Sequence, residues 1–135
     1  MAANPTATPN EWDPNGQPRF AQNAAVPLPW DPNQTASGTA GAACSITFTP
    51  ADADKYVEIW GIEGSYSAAP TGGRISITDG GTLVYDLDIT ASGPFTIQYL
   101  QPRAARGKGT SIVVTLAAGG GTVVSKLNVA GWVRK

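Results

Sequence analysis

The sequence contains no histidine and a single cysteine, Cys44. Without histidine, the chain lacks the commonest general base, the commonest metal ligand and the side chain that titrates near neutral pH. One cysteine cannot form a disulfide within the chain, so the fold must rest on packing and we expect it to form inside a cell. Cys44 has no base near it in the sequence, which predicts a buried structural thiol.

The residues that usually build helices are also scarce, whereas there are 16 glycines and 11 prolines. No apolar run approaches the roughly 18 residues of a membrane span, and the first residues lack the basic and apolar regions of a secretion signal. With 41% hydrophobic residues, the chain can bury the core of one domain. These features predict an all-β protein that is neither embedded in a membrane nor exported by a standard signal.

Charge is unevenly distributed along the chain, although its formal net value is only −1. Residues 43–101 contain seven acidic and two basic residues, and residues 102–135 contain six basic residues and no acidic one. Three of the basic residues, Arg103, Arg106 and Lys108, fall in one glycine-containing loop. This loop could contact phosphate, but no aromatic residue is interleaved with it. We therefore expect a solvated loop or a contact with an acidic protein surface, and no nucleic-acid partner.

The clearest pattern is a hairpin centred on Asp79-Gly80-Gly81. Apolar and polar residues alternate on both sides of this turn, which is typical of strands. A three-residue loop sets Ile75 opposite Tyr85 and Arg74 opposite Asp86. A two-residue loop would slip the pairing by one position and set apolar side chains against polar ones. The sequence therefore predicts the first register, with one buried face and one exposed face.

Similar alternation continues from Cys44 to the C-terminus, with turn residues about every 8–12 positions. It indicates seven to eight strands and predicts a jelly roll or β-sandwich over residues 44–135. The segment at 55–63 is ambiguous because both of its faces carry apolar residues. In the last hairpin, five apolar residues are expected to share one buried face: Ile112, Val114, Leu116, Leu127 and Val129.

Residues 1–43 differ from the rest because they contain most of the prolines and no alternating pattern. We predict an extended N-terminal arm. Its aromatic residues Trp12, Phe20 and Trp30 suggest that it docks on a partner, since a linker that never docks has no reason to carry them. Both tryptophans begin a Trp-Asp-Pro-Asn repeat, in which Asp-Pro-Asn is turn-forming. The predicted partner-binding residues are these three aromatics with the basic loop residues: Trp12, Phe20, Trp30, Arg103, Arg106 and Lys108.

The sequence indicates no catalytic, cofactor-binding or metal-binding residues. Asp86 and Asp88 lie on one face of a strand and could form a glycosidase pair or part of a calcium site. However, Asp86 has a predicted partner in Arg74, and calcium would need several more oxygen ligands. Phosphate-binding loops and nucleophile motifs are absent. We therefore expect a protein that is not an enzyme and that needs no cofactor.

Four stretches of the chain resemble small structural proteins of tailed bacteriophages: residues 66–90, 93–95, 112–121 and 126–129. They are similar to capsid decoration, or cement, proteins with a jelly-roll body, and the resemblance covers about residues 57–133. It implies a virion protein made in the bacterial cytoplasm and located on the capsid surface, commonly as a homotrimer. Its implied partner is the major capsid protein, whose neighbouring subunits it would clamp and stabilise.

The arm lies outside this resemblance, and its role is argued from length. Forty-three extended residues at about 3.1–3.3 Å each could reach roughly 130 Å, enough to cross from one capsid subunit to the next. An alternative function is a receptor- or glycan-binding module of a phage tail or base plate. In that case Trp60, Tyr66 and Tyr99 would stack on sugar rings, although aromatic residues in sandwich strands more often belong to the core.

Overall fold

The computed structural model describes residues 33–50 and 52–134, and these residues form eight β-strands and no helix. The strands are β1 (Asn33–Ser37), β2 (Cys44–Phe48), β3 (Tyr56–Tyr66), β4 (Arg74–Asp79), β5 (Thr82–Asp88), β6 (Gly93–Ala104), β7 (Ile112–Leu116) and β8 (Ser125–Arg134). In this part of the chain, nothing helical is long and apolar enough to cross a membrane.

The strands form two four-stranded antiparallel sheets that pack into a jelly roll. One sheet has the order β1-β8-β3-β6 and the other has the order β2-β7-β4-β5. The first strand pairs with the eighth, the second with the seventh, the third with the sixth and the fourth with the fifth. This nesting is that of one long hairpin rolled up on itself, with the β4–β5 turn at its tip. The predicted all-β jelly-roll or sandwich fold is thus confirmed.

The core lies between the two sheets and is built from alternate residues of their facing strands. In β2, for example, Cys44, Ile46 and Phe48 are buried and the residues between them are exposed. Cys44 is thus a buried free thiol, as predicted. Fifteen apolar side chains make up the buried cluster: Cys44, Ile46, Phe48, Val57, Ile59, Ile62, Tyr66, Ile75, Ile77, Ile112, Val114, Leu116, Val123, Leu127 and Val129.

The β4–β5 hairpin has a different register from the predicted one. Its loop has two residues, Gly80 and Gly81, whose φ angles of 58° and 83° fit a type I′ turn. Ile75 pairs with Leu87, and Arg74 pairs with Asp88. The predicted slip of apolar against polar residues is avoided because a β-bulge adds an extra residue to β5 beyond the turn. The predicted three-residue loop and its pairs are therefore wrong. The predicted buried face is present in β4, whereas in β5 every residue is exposed except the half-buried Tyr85.

A second bulge explains the ambiguous alternation of β3. The pairing of β3 with β8 shifts between Ile59 and Gly61, so Trp60 is the extra residue. Before the bulge the odd-numbered Val57 and Ile59 point into the core, and after it the even-numbered Ile62 does. The core-facing side of β3 therefore changes parity at Trp60, and before the bulge Glu58 on the opposite face is buried as well.

The five apolar residues near the C-terminus are all buried, as predicted, but they do not form a hairpin. Strand β7 pairs with β2 and β4 in one sheet, whereas β8 pairs with β1 and β3 in the other. Their buried faces therefore meet across the sandwich. Two strands joined across the sandwich show the same alternation of apolar and polar residues as two strands joined in a hairpin. The sequence pattern therefore could not distinguish the two connections.

Part of the predicted arm belongs to a sheet. Residues Asn33–Ser37 form β1, which pairs with β8 from Asn33 opposite Ala130 to Ser37 opposite Lys126. This strand is short, and only Ala36 packs against the buried cluster, so its alternation is too weak to recognise in the sequence. The rest of the predicted arm, including Trp12, Phe20 and Trp30, lies outside the described residues.

Candidate interaction site at the open edge

One side of the sandwich ends in an apolar edge strand. Strand β5 ends one sheet and β6 ends the other, and neither has a second strand neighbour within residues 33–50 and 52–134. Leu83, Val84 and Leu87 of β5 are 49%, 47% and 45% exposed, and Leu100 of β6 is fully exposed. We call the surface formed by β5 and β6 the open edge. An edge strand usually carries charges or is covered, because its free backbone groups and apolar side chains promote association.

A cleft of about 310 Å³ enters the sandwich at the open edge. Its inner part is aliphatic, and its rim carries two tyrosines from opposite sheets, Tyr85 and Tyr99, together with two arginines. The residues that line it are Ile59, Ile77, Asp79, Val84, Tyr85, Tyr99, Arg103, Ala104, Arg106 and Ile112. The cleft is therefore suited to an apolar or aromatic group with a negative charge beside it.

The basic loop is held against the cleft by a buried carboxylate. Asp79 is only 5% exposed, and its Oδ2 accepts a 2.7 Å hydrogen bond from the backbone N–H of Arg106. The Nε atom of Arg106 lies 3.7 Å from the same oxygen, while most of the Arg106 side chain remains exposed. Since a buried charge is costly without a partner, these contacts fix the loop next to the β4–β5 turn.

Arg103 and Tyr99 form the other part of the rim. The guanidinium carbon of Arg103 lies 5.3 Å from the centre of the Tyr99 ring, within the range of a cation–π interaction. Burial raises the pKa of the Tyr99 phenol, the neighbouring Tyr85 adds to this rise, and Arg103 opposes it. Tyr99 can therefore offer a neutral ring and a hydroxyl group near neutral pH.

At the far end of β5 the charges are different. Arg74 forms a bidentate ion pair with Asp86, in which Nη2 donates to Oδ2 at 2.6 Å and Nε donates to Oδ1. Hydrogen bonding by Arg74 lowers the pKa of the Asp86 carboxyl group. Asp88, also exposed, pairs with Arg74 across the two strands. This end of the open edge therefore carries two carboxylates and one guanidinium.

The structure brings together only some of the residues that the sequence singled out. Arg103 lies in β6 and not in the predicted loop, and it lines the cleft together with Arg106 of the loop, whereas Lys108 is exposed in the loop and does not line the cleft. The predicted pair of Arg74 and Asp86 forms, but diagonally, because Arg74 stands directly opposite Asp88. Within the described residues, no group of three or more acidic or cysteine side chains could hold a metal ion.

The three aromatic residues considered for sugar stacking have different surroundings. Tyr66 is fully buried, and its hydroxyl donates a 2.6 Å hydrogen bond to the carbonyl of Ala117, so it belongs to the core. Trp60 stands at the bulge of β3 and is 36% exposed. Only Tyr99 lies in the cleft.

The apolar residues of β5 and the second rim tyrosine, Tyr85, were missed in the sequence. The alternation of these residues with Asp86 and Asp88 predicts a strand with one buried face. That prediction would hold for a strand that has neighbours on both sides. Nothing in a period of two shows that a strand is the last one of its sheet. The one available signal was Leu83 beside Val84, since two adjacent apolar residues cannot both point into one core without a bulge.

No protein-family model and no curated protein sequence matches the chain. Among solved structures, a family 36 carbohydrate-binding module in complex with calcium and xylotriose is 20% identical, with a TM-score of 0.39 over 73% of this chain and 78% of that one. A family 16 carbohydrate-binding module is 13% identical, with a TM-score of 0.42 over 73% of this chain and 74% of that one.

An insecticidal delta-endotoxin from Bacillus thuringiensis is similar to the same degree, at 12% identity and a TM-score of 0.41. That similarity covers 71% of this chain but only 19% of the toxin. At such identities these structures share the layered β-sheet fold alone, and their ligands and activities do not carry over to this protein.

Proposed function

We propose that this protein is a non-enzymatic structural protein of a bacteriophage virion, which decorates the capsid and stabilises it by holding neighbouring major capsid subunits together. The observation that carries the proposal is the open edge, where Leu83, Val84 and Leu87 are almost half exposed on an edge strand. Monomeric proteins shield such strands, because exposed apolar edges recruit other chains. A protein that works inside an assembly can keep this surface and bury it there.

Two further features agree with this proposal. The jelly roll is a fold of viral capsid proteins as well as of lectins, and the sequence resembles phage cement proteins over about residues 57–133. In addition, two carboxylates of the open edge already have structural partners. Asp79 is used to hold the basic loop, and Asp86 is used in an ion pair with Arg74.

The proposal is tested by adding the purified protein to phage heads that lack it and measuring co-sedimentation. We expect saturable binding and, by electron microscopy, density at regular positions on the head. Leu87→Asp should weaken binding at least tenfold because it places a charge on the surface that assembly buries. Thr47→Asp, at an exposed position of β2, is the matched control and should bind like the unmodified protein. Absence of binding, or density on the tail alone, contradicts the proposal.

A glycan-binding module of a phage tail or base plate is the second candidate, and the cleft favours it. Tyr85 and Tyr99 offer two rings at the rim, and Arg103 adds a cation that could bind an acidic sugar. The aliphatic inner part suits an apolar side chain better than a hydroxylated ring, which places this function second. Saturable shifts of the backbone amide signals of Val84 and Ile112 in nuclear magnetic resonance spectra on adding oligosaccharides, abolished by Tyr99→Ala and unaffected by Tyr56→Ala, would establish it instead.

A further inference from the structure

The two ends of the open edge carry charges of opposite sign. Beside the β4–β5 turn lies the basic end, formed by Arg103 at the end of β6 and by Arg106 and Lys108 in the loop that follows, next to the buried carboxylate of Asp79. At the other end of β5 lies the acidic end, formed by Asp86 and Asp88 with the single guanidinium of Arg74. Between the two ends stand the exposed apolar side chains of β5.

The opposite charges at the two ends are too far apart to form ion pairs with one another within the same chain. Strand β5 runs from Thr82 to Asp88, and at about 3.3 Å per residue this separates the ends by roughly 20 Å. That distance exceeds the screening length of about 8 Å at physiological salt. The excess charge at each end is therefore available to a partner.

We propose that the open edge is the contact surface for a second copy of this chain, packed about a two-fold axis that crosses the middle of β5. A rotation of 180° exchanges the ends of the edge, so the acidic end of one copy meets the basic end of the other, twice in each pair. The same rotation lays β5 of one copy, with its exposed Leu83, Val84 and Leu87, along β5 of the other. The inference rests on the proposed function, because it names the partner of the surface that carries that proposal.

A two-fold pair fits this surface better than a ring. In a ring each subunit uses two different surfaces, and the complement of the acidic end would have to lie elsewhere on the molecule. Here the complement lies on the same edge, so the surface is complementary to itself. The pair differs from the trimer that the resemblance to cement proteins implies.

The contact also accounts for the exposed apolar residue at the mouth of the cleft. Val84 lines the cleft and is 47% exposed, so it stands at the border between cleft and outer surface. A second copy centred on β5 covers this border and removes water from the cleft mouth. Ion pairs at the periphery of such a contact set its orientation, and the central apolar residues supply most of its affinity.

The test is sedimentation of the full-length protein over a wide concentration range. We expect a dimer with twice the 13.9 kDa mass of the chain. Asp88→Lys and Arg103→Glu should each raise the dissociation constant at least tenfold, because each variant repels itself at both ends. An equimolar mixture of the two should restore dimers, because in the mixed pair Lys at position 88 meets Glu at position 103 and the native Arg103 meets the native Asp88.

Charge reversals elsewhere on the surface serve as controls. Glu63→Lys and Lys126→Glu change exposed residues of β3 and β8 and should dimerise like the unmodified protein. Thermal melting establishes that every variant is folded. A monomer at all concentrations, a trimer, or a mixture that stays monomeric would each overturn the two-fold pair.

The same variants separate this inference from the proposed function. A protein that decorates heads as a monomer would overturn the pair and leave the function standing. A protein that dimerises as described but binds no head would overturn the function and leave the pair standing.

Discussion

At the scale of single residues, Tyr66 links the two sheets through its hydroxyl group. It projects from β3, donates to the carbonyl of Ala117 at 2.6 Å and accepts from the backbone N–H of Arg74 at 3.2 Å. Both partners belong to the opposite sheet or its connections. Burial raises the pKa of this phenol, so it remains a donor well above neutral pH.

Replacing Tyr66 by phenylalanine should lower the free energy of unfolding by about 1–3 kcal/mol, because a buried carbonyl and a backbone N–H lose their partner while the ring is kept. Urea denaturation followed by tryptophan fluorescence measures the change. Tyr56→Phe is the matched control, since Tyr56 is half-buried and its ring is also kept. An equal effect of both substitutions would show that the Tyr66 hydroxyl adds no stability.

Asp86 makes the stability of the fold depend on pH in the acidic range. Hydrogen bonding by Arg74 lowers its pKa in the folded state below that of the unfolded chain. Its contribution to stability is therefore complete above the unfolded-state pKa and is lost as the pH falls through the folded-state value. We expect a carbon-detected titration to show a depressed pKa for Asp86, and Arg74→Gln to return it toward the ordinary value. An unchanged pKa in that variant would exclude the ion pair in solution.

At the scale of elements, the tip of the rolled hairpin depends on two glycines in different surroundings. Both Gly80 and Gly81 have positive φ, which an alanine adopts at a cost of about 1 kcal/mol. A Cβ at Gly81 meets nothing within 4 Å, whereas at Gly80 it would lie 2.6 Å from Cγ2 of Thr110. The two positions therefore separate backbone strain from steric overlap.

Gly81→Ala should destabilise the protein by about 1 kcal/mol, and Gly80→Ala should destabilise it further because the methyl group also displaces Thr110. Chemical denaturation measures both values. In a Thr110→Ser background, which lacks Cγ2, the difference between the two substitutions should shrink. If it persists unchanged, the overlap with Thr110 is not its cause.

The sequence predicted the strands better than their pairing, for a physical reason. Period-two alternation depends only on which side of a sheet is buried, so it located the core faces of β2, β4 and β7. A bulge changes parity by one residue and leaves only a faint trace in the sequence, such as Leu83 beside Val84, so it concealed the register of β5 and the core-facing side of β3. Short β1, with one residue against the core, had no alternation to detect.

The candidate site was less predictable than the fold. Arg103 and Arg106 were found because a local excess of charge is visible in a sequence. Val84 and Tyr85 were missed because edge exposure depends on strand order, which follows from pairing over long distances. The sequence shows which side chains these residues carry, but not that they lie on an edge strand.

At the scale of the whole molecule, capsid binding is expected to need residues 1–32. Each predicted anchor, Trp12 and Trp30, should contribute about 2 kcal/mol to binding, or about thirtyfold in affinity. Removal of residues 1–32 should leave a folded body, since β1 begins at Asn33, and this body should fail to bind heads. Circular dichroism and co-sedimentation test the two parts.

The single substitutions Trp12→Ala and Trp30→Ala refine this prediction, because the two repeats should act as equivalent anchors. Their effects on head binding are expected to be similar and smaller than that of the deletion. A truncated body that binds heads with unchanged affinity would rule out anchoring by these residues.

The nested pairing of the strands has a consequence for how the chain reaches its structure. Strands β4 and β5 are neighbours in sequence, whereas β1 must find β8 near the opposite end of the body. Each inner pair of strands brings the next two strands close together. The entropic cost of loop closure is therefore divided into small steps, the first of which closes the turn at Gly80 and Gly81. Of the eight described strands, β8 leaves the ribosome last, so β1 has no strand partner until then. The sheet that contains β1 is therefore completed only after β8 has been synthesised.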